Sequence, residues 1–484
     1  MREGVSTLSY AVRFGVLGKY LGQLALTLAV LVLVPLLASM LFHEYDISLR
    51  YLPPIALLAA LGLLSLLLPE PKTIQTNEAL VIVALAFILS PLLMTYPLMV
   101  DGVHWLDALF EAISAVTTTG LTTITELENK PRSFLFARAW MQWYGGLGIV
   151  ILSVALLMGH HIAARRLTEP TSTETLATTA RTHARRMLVV YLILTLFFFL
   201  LLWWLSQDSF VALTHTLAAV STGGFSSYNH SLAGTELWSV RYAVIFAALC
   251  GAIPLPLFYQ AWQSGWRTLW QDLEVRTLLC CTLLVTLALS WFFLQNVQLP
   301  WPQALQHAGL MAVSAQSTAG FNSLPVTRLD DASKLTLIFS MLIGGGVGST
   351  AGGMKILRLL VVLKVLQFLL QRTAMPSHAV AEPRLEGKLL ESNDVQRILL
   401  LILLFFIVIG SSWFVFVISG YPALDALFEV VSATGTAGLS SGVTSSELSP
   451  LLKAVLCLDM LLGRLEIVAI LVVLYPPTWF GKRA

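Results

Sequence analysis

Charge is the scarcest property of this 484-residue chain: Asp, Glu, Lys and Arg make up 12% of it, about half the share of a soluble domain. With 57% hydrophobic residues, that deficit places the chain in lipid before any motif is read. The net charge of +2 offers no basic excess for nucleic acid. Cysteine is scarce too. Cys250, Cys280, Cys281 and Cys457 sit in apolar runs without metal-ligand spacing and read as small membrane hydrophobes. The N-terminal segment has no short apolar core followed by a small-residue cleavage site, so no removable signal peptide is expected. No long polar stretch suggests a separate catalytic domain. No Ser/His, paired-Asp or HExxH set faces across spans, which argues against a membrane enzyme. The glycine cluster at 344–353 is not a phosphate-binding loop, because Lys355 follows Met354 and precedes Ile356.

What is present is a series of apolar runs. Crossing a bilayer takes about 20 mostly apolar residues in succession. Ten runs are long enough, near 22–43, 53–70, 79–99, 135–159, 187–206, 241–261, 277–295, 335–369, 397–419 and 450–476. Four shorter stretches, near 104–117, 210–221, 301–317 and 422–433, each end in Thr, Ser and Gly. A short helix followed by irregular backbone at membrane depth is tolerated only where it lines a protein cavity. Arg165, Arg166, Arg181, Arg185 and Arg186 load one internal loop, and Arg372, Arg384, Lys388 and Arg397 another. The ends carry Arg2, Arg13, Lys19, Lys482 and Arg483, whereas the opposite side holds Lys130, Arg132, Arg328 and Lys453. This bias puts both termini in the cytoplasm, and the short segments enter from the outer face.

An internal repeat organises the chain. LDALFEAISAVTTTGL (106–121) aligns without a gap on LDALFEVVSATGTAGL (424–439), and weaker copies occupy 211–225 and 303–321. Aligned on their last glycine, the turns are Thr117-Thr118-Thr119-Gly120, Ser221-Thr222-Gly223-Gly224, Ser317-Thr318-Ala319-Gly320 and Gly435-Thr436-Ala437-Gly438. The unit is span, half-helix, glycine turn, span, four times over. An all-α integral membrane fold follows, with a pseudo-fourfold pore. The expected divisions are an N-terminal two-helix hairpin at 1–71 and pore repeats at 72–165, 166–267, 268–372 and 373–484.

Such turns suit a dehydrated cation, which needs rings of backbone carbonyls in place of its water shell. Glycine permits the φ > 0 that turns successive carbonyls toward an axis. A half-helix C-terminus offers the negative end of its dipole. No turn contains Asp or Glu, which favours K+ over divalent ions. These turns resemble the filter segments of the bacterial Trk/Ktr potassium-translocating subunits. WMQWYGGLGI (140–149), Gly463-Arg464-Leu465-Glu466-Ile467 and YPPTWF (475–480) resemble the TrkH type more specifically. The resemblance implies potassium uptake across the bacterial inner membrane. It also implies a homodimer with one pore per subunit, docked on a cytosolic nucleotide-binding TrkA-like ring. K+ is the transported ion, and no organic cofactor is expected on this chain.

Two features stand out within the spans. The first is the cluster Gly344, Gly345, Gly346, Gly348, Gly352 and Gly353, followed by Lys355. It should break the run 335–369, since each glycine disfavours helix by about 1 kcal/mol. It reads as an intramembrane gating loop, as the resemblance also implies. Lys355 and Arg358 could fix that loop to acidic groups or face the cytosol. The second is Arg464, a positive group below the filter, expected as an ion barrier or an anchor for the gate. Glu466 and Asp459 are at awkward helical offsets for pairing with it, so a partner from another helix is expected. Glu111 and Glu429 either brace their turns or attract cations at the outer mouth, and their place on helix before the glycines favours bracing. His215 should pack or hydrogen-bond, and His160-His161 should form a solvated pair. The polar segment 371–396 is the expected docking surface for a cytosolic partner. Coupling of K+ to H+ or Na+ is the rival, with no acidic relay evident. Gly320→Ser is expected to erode the preference for potassium and rubidium over sodium in liposome flux. Unchanged selectivity would remove the filter assignment.

Overall fold

The computed structural model describes residues 11–71, 74–157, 176–376 and 382–480. His160, His161, Arg165, Arg166, Arg2, Lys482 and Arg483 lie outside the described residues. Two long apolar helices, α1 (Phe14–Leu41) and α2 (Tyr45–Leu66), form the N-terminal hairpin. Their contact depends on small residues: a Cβ on Gly22 would collide with Ser65, and one on Gly62 with Leu26. α3 (Thr76–Leu98) opens with a reciprocal capping box from Gln75 and Glu78. Glu78 also holds Arg13 at 2.7 Å.

The rest of the chain alternates long and short helices. A short α4 (Trp105–Val116) precedes α5 (Arg132–Leu157), and α6 (Leu176–Ser206) precedes a short α7 (Ser209–Val220) and then α8 (Trp238–Ala252). α9 (Leu255–Ser264) and α10 (Arg267–Gln271) lead to α11 (Leu273–Gln295), the short α12 (Trp301–Gln316) and α13 (Asp331–Ile343). α14 (Ile356–Thr373) is followed by the two-residue strands β1 (Arg384–Leu385) and β2 (Lys388–Leu389). α15 (Ser392–Ile418), the short α16 (Ala423–Thr434), α17 (Pro450–Arg464), α18 (Val468–Leu474) and α19 (Pro477–Phe480) complete the chain. Among the described residues six helices are long and apolar enough to cross a membrane, and the bent α8–α9 pair makes a seventh if counted as one span.

The run 335–369 breaks where its glycine cluster predicts. α13 stops at Ile343 and α14 begins at Ile356, across the glycine cluster. The run 241–261 is not straight either: α8 and α9 meet at 88°. Ile253 precedes Pro254 and is driven into an extended conformation, with φ −79° and ψ 140°. The run 450–476 breaks where Glu466 and Ile467 adopt φ of 54° and 64°. Neither is Gly, Asn or Pro, so helix propensity gave no warning. The Glu466 carboxylate is drawn 2.5 Å from Arg358 of α14. Arg464 therefore ends α17 rather than lying mid-span.

Arg138 of α5 and Glu111 of α4 form a wholly buried ion pair, Nε to Oε2 at 2.7 Å. The Arg138 guanidinium also lies 3.8 Å from the Phe225 ring centroid, beyond α7. Arg138→Leu would leave Glu111 buried without a counter-charge, a loss of about 3–5 kcal/mol. Thermal unfolding in detergent should show that loss. The double variant Glu111→Gln/Arg138→Leu should recover most of it.

Candidate ion pathway

The four short helices α4, α7, α12 and α16 all end in one way. The residue after each helix, Thr117, Ser221, Ser317 or Gly435, keeps near-helical angles. A threonine follows in every copy. Thr118, Thr222, Thr318 and Thr436 have φ of 53°, 53°, 53° and 48°. Their amides donate to the carbonyls of Ala115, Ala219, Ala315 and Ala433. The next amides donate to Ser114, Ala218, Ser314 and Ser432 at 2.7–2.9 Å. This paired bonding is a Schellman stop, in which glycine normally takes the left-handed position. A β-branched residue there is strained by about 1–3 kcal/mol. Four copies of one outlier mark a position that the surrounding structure imposes.

Two residues on, Gly120, Gly224, Gly320 and Gly438 have φ of 92°, 80°, 76° and 79°. A Cβ on Gly120 would overlap the carbonyl oxygen of Gly223; on Gly224, that of Ala319; on Gly320, that of Ala437; on Gly438, that of Thr119. The contacts run first to second, second to third, third to fourth and fourth to first. The four turns therefore meet in a closed cycle. Their one shared residue is glycine because the neighbouring peptide occupies the space of a side chain.

The pairing around this cycle differs from one junction to the next. Arg132 of α5 lies over Phe210 of α7, 5.6 Å from the ring centroid. Trp238 of α8 meets His307 of α12 edge-on at 5.0 Å. Lys334 of α13 holds Asp425 of α16 at 2.7 Å, and Lys453 of α17 holds Asp107 of α4 at 2.6 Å. Behind the turns, Glu111 accepts from Thr122 Oγ1 and from the Thr123 amide at 3.1 Å. Glu429 accepts from Ser440 Oγ at 2.8 Å, the Ser441 amide at 2.9 Å and the Thr444 amide at 3.2 Å. His215 takes the same register in α7 and pairs through Nε2 with Ser226 Oγ at 3.0 Å. The third copy has Met311 there, so its brace is apolar.

The segment between α13 and α14 packs against three of the turns. The Gly352 amide donates to Thr318 Oγ1 at 2.7 Å and the Gly353 amide to Gly435 O at 2.9 Å. Thr350 Oγ1 donates to Val220 O at 3.1 Å and Gly251 O at 2.9 Å. Gly344 and Gly353 approach so closely that a Cβ on either would strike the other's backbone. The Gly346 amide donates to Ala252 O at 3.0 Å, and Glu274 Oε2 accepts the Val347 amide at 2.8 Å. The Leu255 amide donates to Gly348 O at 3.1 Å. Lys355 Nζ donates back to Ala351 O. Arg464 Nη1 donates to Thr350 O at 2.8 Å, and its Nη2 reaches Gly145 O at 3.5 Å. Among the described residues no carboxylate pairs with Arg464. Its partners are backbone carbonyls from the loop and from α5, not the expected acid.

Several residues at the site were not anticipated from the sequence. Gln142 Nε2 donates to Gly223 O at 2.5 Å while its Oε1 accepts the Phe225 amide at 3.2 Å. Gln316 Nε2 donates to Gly344 O at 2.7 Å. Gly145, Gly251 and Gly463 lie against the carbonyls of Val116, Val220 and Thr434, at the ends of the short helices. These glycines stand 25, 27 and 25 residues after Gly120, Gly224 and Gly438, a recurrence legible in the sequence. Gly463→Ala would push α17 away from Thr434. It should lower the melting temperature and the fraction of folded protein recovered in detergent, whereas Gly410→Ala, with open space at its Cβ, should leave both unchanged.

The chain matches the family model "TrkH: Cation transport protein" over residues 54–476. It is 28% identical to an uncharacterized cation transporter of Methanocaldococcus jannaschii, with 93% of each chain covered. It is also 28% identical to the Trk system potassium uptake protein TrkH of Halomonas elongata, covering 95% of this chain and 98% of that one. The crystal structure of the potassium transporter TrkH from Vibrio parahaemolyticus superposes with a TM-score of 0.85 at 26% identity, covering 97% of this chain and 100% of that one. The chain is a multi-pass membrane protein that belongs to the TrkH family of cation transport proteins.

Proposed function

We propose that the chain takes up potassium through a pore lined by the four turns. The segment 344–353 closes that pore, and Arg464 anchors it. The observation that carries the reading is the closed cycle of glycine contacts, which groups the carbonyls of Thr119, Gly223, Ala319 and Ala437 around one centre. Carbonyl rings replace the hydration shell of a monovalent cation. The relatives named for potassium uptake support the choice of ion. The hydrogen bonds from 350–353 to Val220, Thr318 and Gly435 support a closing role for the segment. The guanidinium on Thr350 O holds it there and adds a positive charge to the path. The hairpin at 1–71 is in this reading followed by pore units at 72–165, 166–267, 268–372 and 373–484. In this reading the protein lies in the bacterial inner membrane with both termini cytoplasmic. It forms a homodimer and docks through 371–396 on a cytosolic TrkA-like nucleotide-binding ring.

A second reading, uptake coupled to H+ or Na+, is favoured by one observation. Asp459 of α17 is buried, accepts from Ser412 Oγ at 2.7 Å, and leaves its other oxygen without a partner among the described residues. In liposomes, deleting residues within 344–353, or Arg464→Ala, should raise resting rubidium flux. Flux that stays low in both variants would mean that the loop is not the barrier. Uptake that follows membrane potential alone, unchanged by an imposed proton or sodium gradient, would leave Asp459 a structural group.

A further inference from the structure

Between α8 and α11 the chain leaves the direction of the spans. α9 runs at 88° to α8, which places it along the membrane surface if α8 crosses the bilayer. Its buried side, Leu255, Leu257 and Ala261, faces the protein. Trp262 lies on its other side, Trp266 immediately precedes α10 and Trp270 lies within it; they are 66%, 64% and 66% exposed. The aromatic rings sit in an elbow that turns at Gly265, φ 101°. Exposed tryptophan next to an apolar span belongs at the headgroup level, where one end of the indole is wet and the other dry. The charges exposed beside them are basic: Arg267 and Arg276 are on the surface, and Arg276 Nε donates to Trp270 O at 2.6 Å. The two nearby acids are already engaged. Asp272 caps α11 through the amides of Glu274 and Val275, and Glu274 is buried on the Val347 amide.

Both ends of this elbow are tied to the loop 344–353. At its start, Gly251 O and Ala252 O accept from the Thr350 and Gly346 amides, and the Leu255 amide donates to Gly348 O. At its end, Glu274 holds Val347. A displacement of the elbow along the membrane normal would therefore move the partners of two loop residues, the Leu255 amide on Gly348 and the Glu274 carboxylate on Val347, next to the α8 carbonyls that hold Gly346 and Thr350.

We propose that the elbow 255–276 is a lipid-contact surface for anionic headgroups, and that its seating in the interface sets the position of the loop. This rests on the gate reading above. Indole burial supplies depth, and Arg267 and Arg276 supply attraction to lipid phosphate, which weakens with salt.

The test uses the full chain in liposomes of phosphatidylcholine alone and with rising phosphatidylglycerol. Two readouts are taken: rubidium flux, and quenching of tryptophan fluorescence by lipids brominated near the headgroup. Flux should change severalfold with the anionic fraction. The variant Arg267→Gln/Arg276→Gln should lose that response while keeping its flux in neutral lipid. Trp262→Phe/Trp266→Phe/Trp270→Phe should lose a discrete part of the headgroup quenching. A loop-deleted chain should conduct without regard to lipid. If that deletion conducts strongly but the intact chain ignores the anionic fraction, the lipid inference is wrong and the gate stands. If the deletion does not conduct, the gate reading fails, and with it the coupling, whatever the quenching shows. If the tryptophan variant leaves quenching unchanged and converts a dimer to a monomer, the surface is covered by a second copy and the inference is overturned.

Discussion

Four peptide carbonyls in this protein press against four glycine Cα atoms in a ring, with no room between them for even one methyl group. Every other arrangement in the core serves that approach. Each turn must stop a helix abruptly and extend its backbone toward the next turn. It must also hold its carbonyls without a side chain to shield them. The Schellman stops at Thr118, Thr222, Thr318 and Thr436 do the first, at a cost in backbone strain that nothing local offsets.

The surroundings supply the compensation. Glu111, His215 and Glu429 reach over the turns from one register position and satisfy the amides or hydroxyls just beyond the glycines. Gln142 secures a carbonyl and an amide of the second turn, and Gln316 reaches from the third short helix to the loop. The junctions between neighbouring elements use unlike chemistry: two ion pairs, an aromatic edge contact and a cation over a ring. One chain with four diverged copies can stabilise each junction separately, which a ring of identical subunits cannot. The consequence is a centre with near-equal backbone geometry held by unequal side chains.

Below the turns, among the described residues, the helices that follow them are interrupted in three of the four copies. Each interruption exposes backbone groups; those of the second and third copies bind one another, and the fourth joins them through the Arg464 and Glu466 side chains. The loop amides take carbonyls from α8 and from the turns, and Arg464 takes a loop carbonyl. The broken segments thus form a connected layer rather than three independent kinks. Polar backbone at this depth is tolerated because it is satisfied within the protein.

Much of this was legible beforehand, for a physical reason. Helix length against bilayer thickness, small residues at tight turns and a glycine where φ is positive are local requirements, and the repeat displayed them four times. The sequence by itself determined the membrane class, the four glycine turns and the break in the run 335–369. It did not disclose the break at Glu466–Ile467, because two residues with ordinary helix propensity are held left-handed beside an ion pair with Arg358, distant in the chain. Nor did it disclose that Arg464 is held by carbonyls, or that Arg138 neutralises Glu111. Those depend on which helices become neighbours, and only the tertiary structure decided that. The order in which one turn's carbonyl meets the next turn's glycine was decided there too. Four similar segments can close a ring in more than one sequence, and the packing of the helices between them selects one.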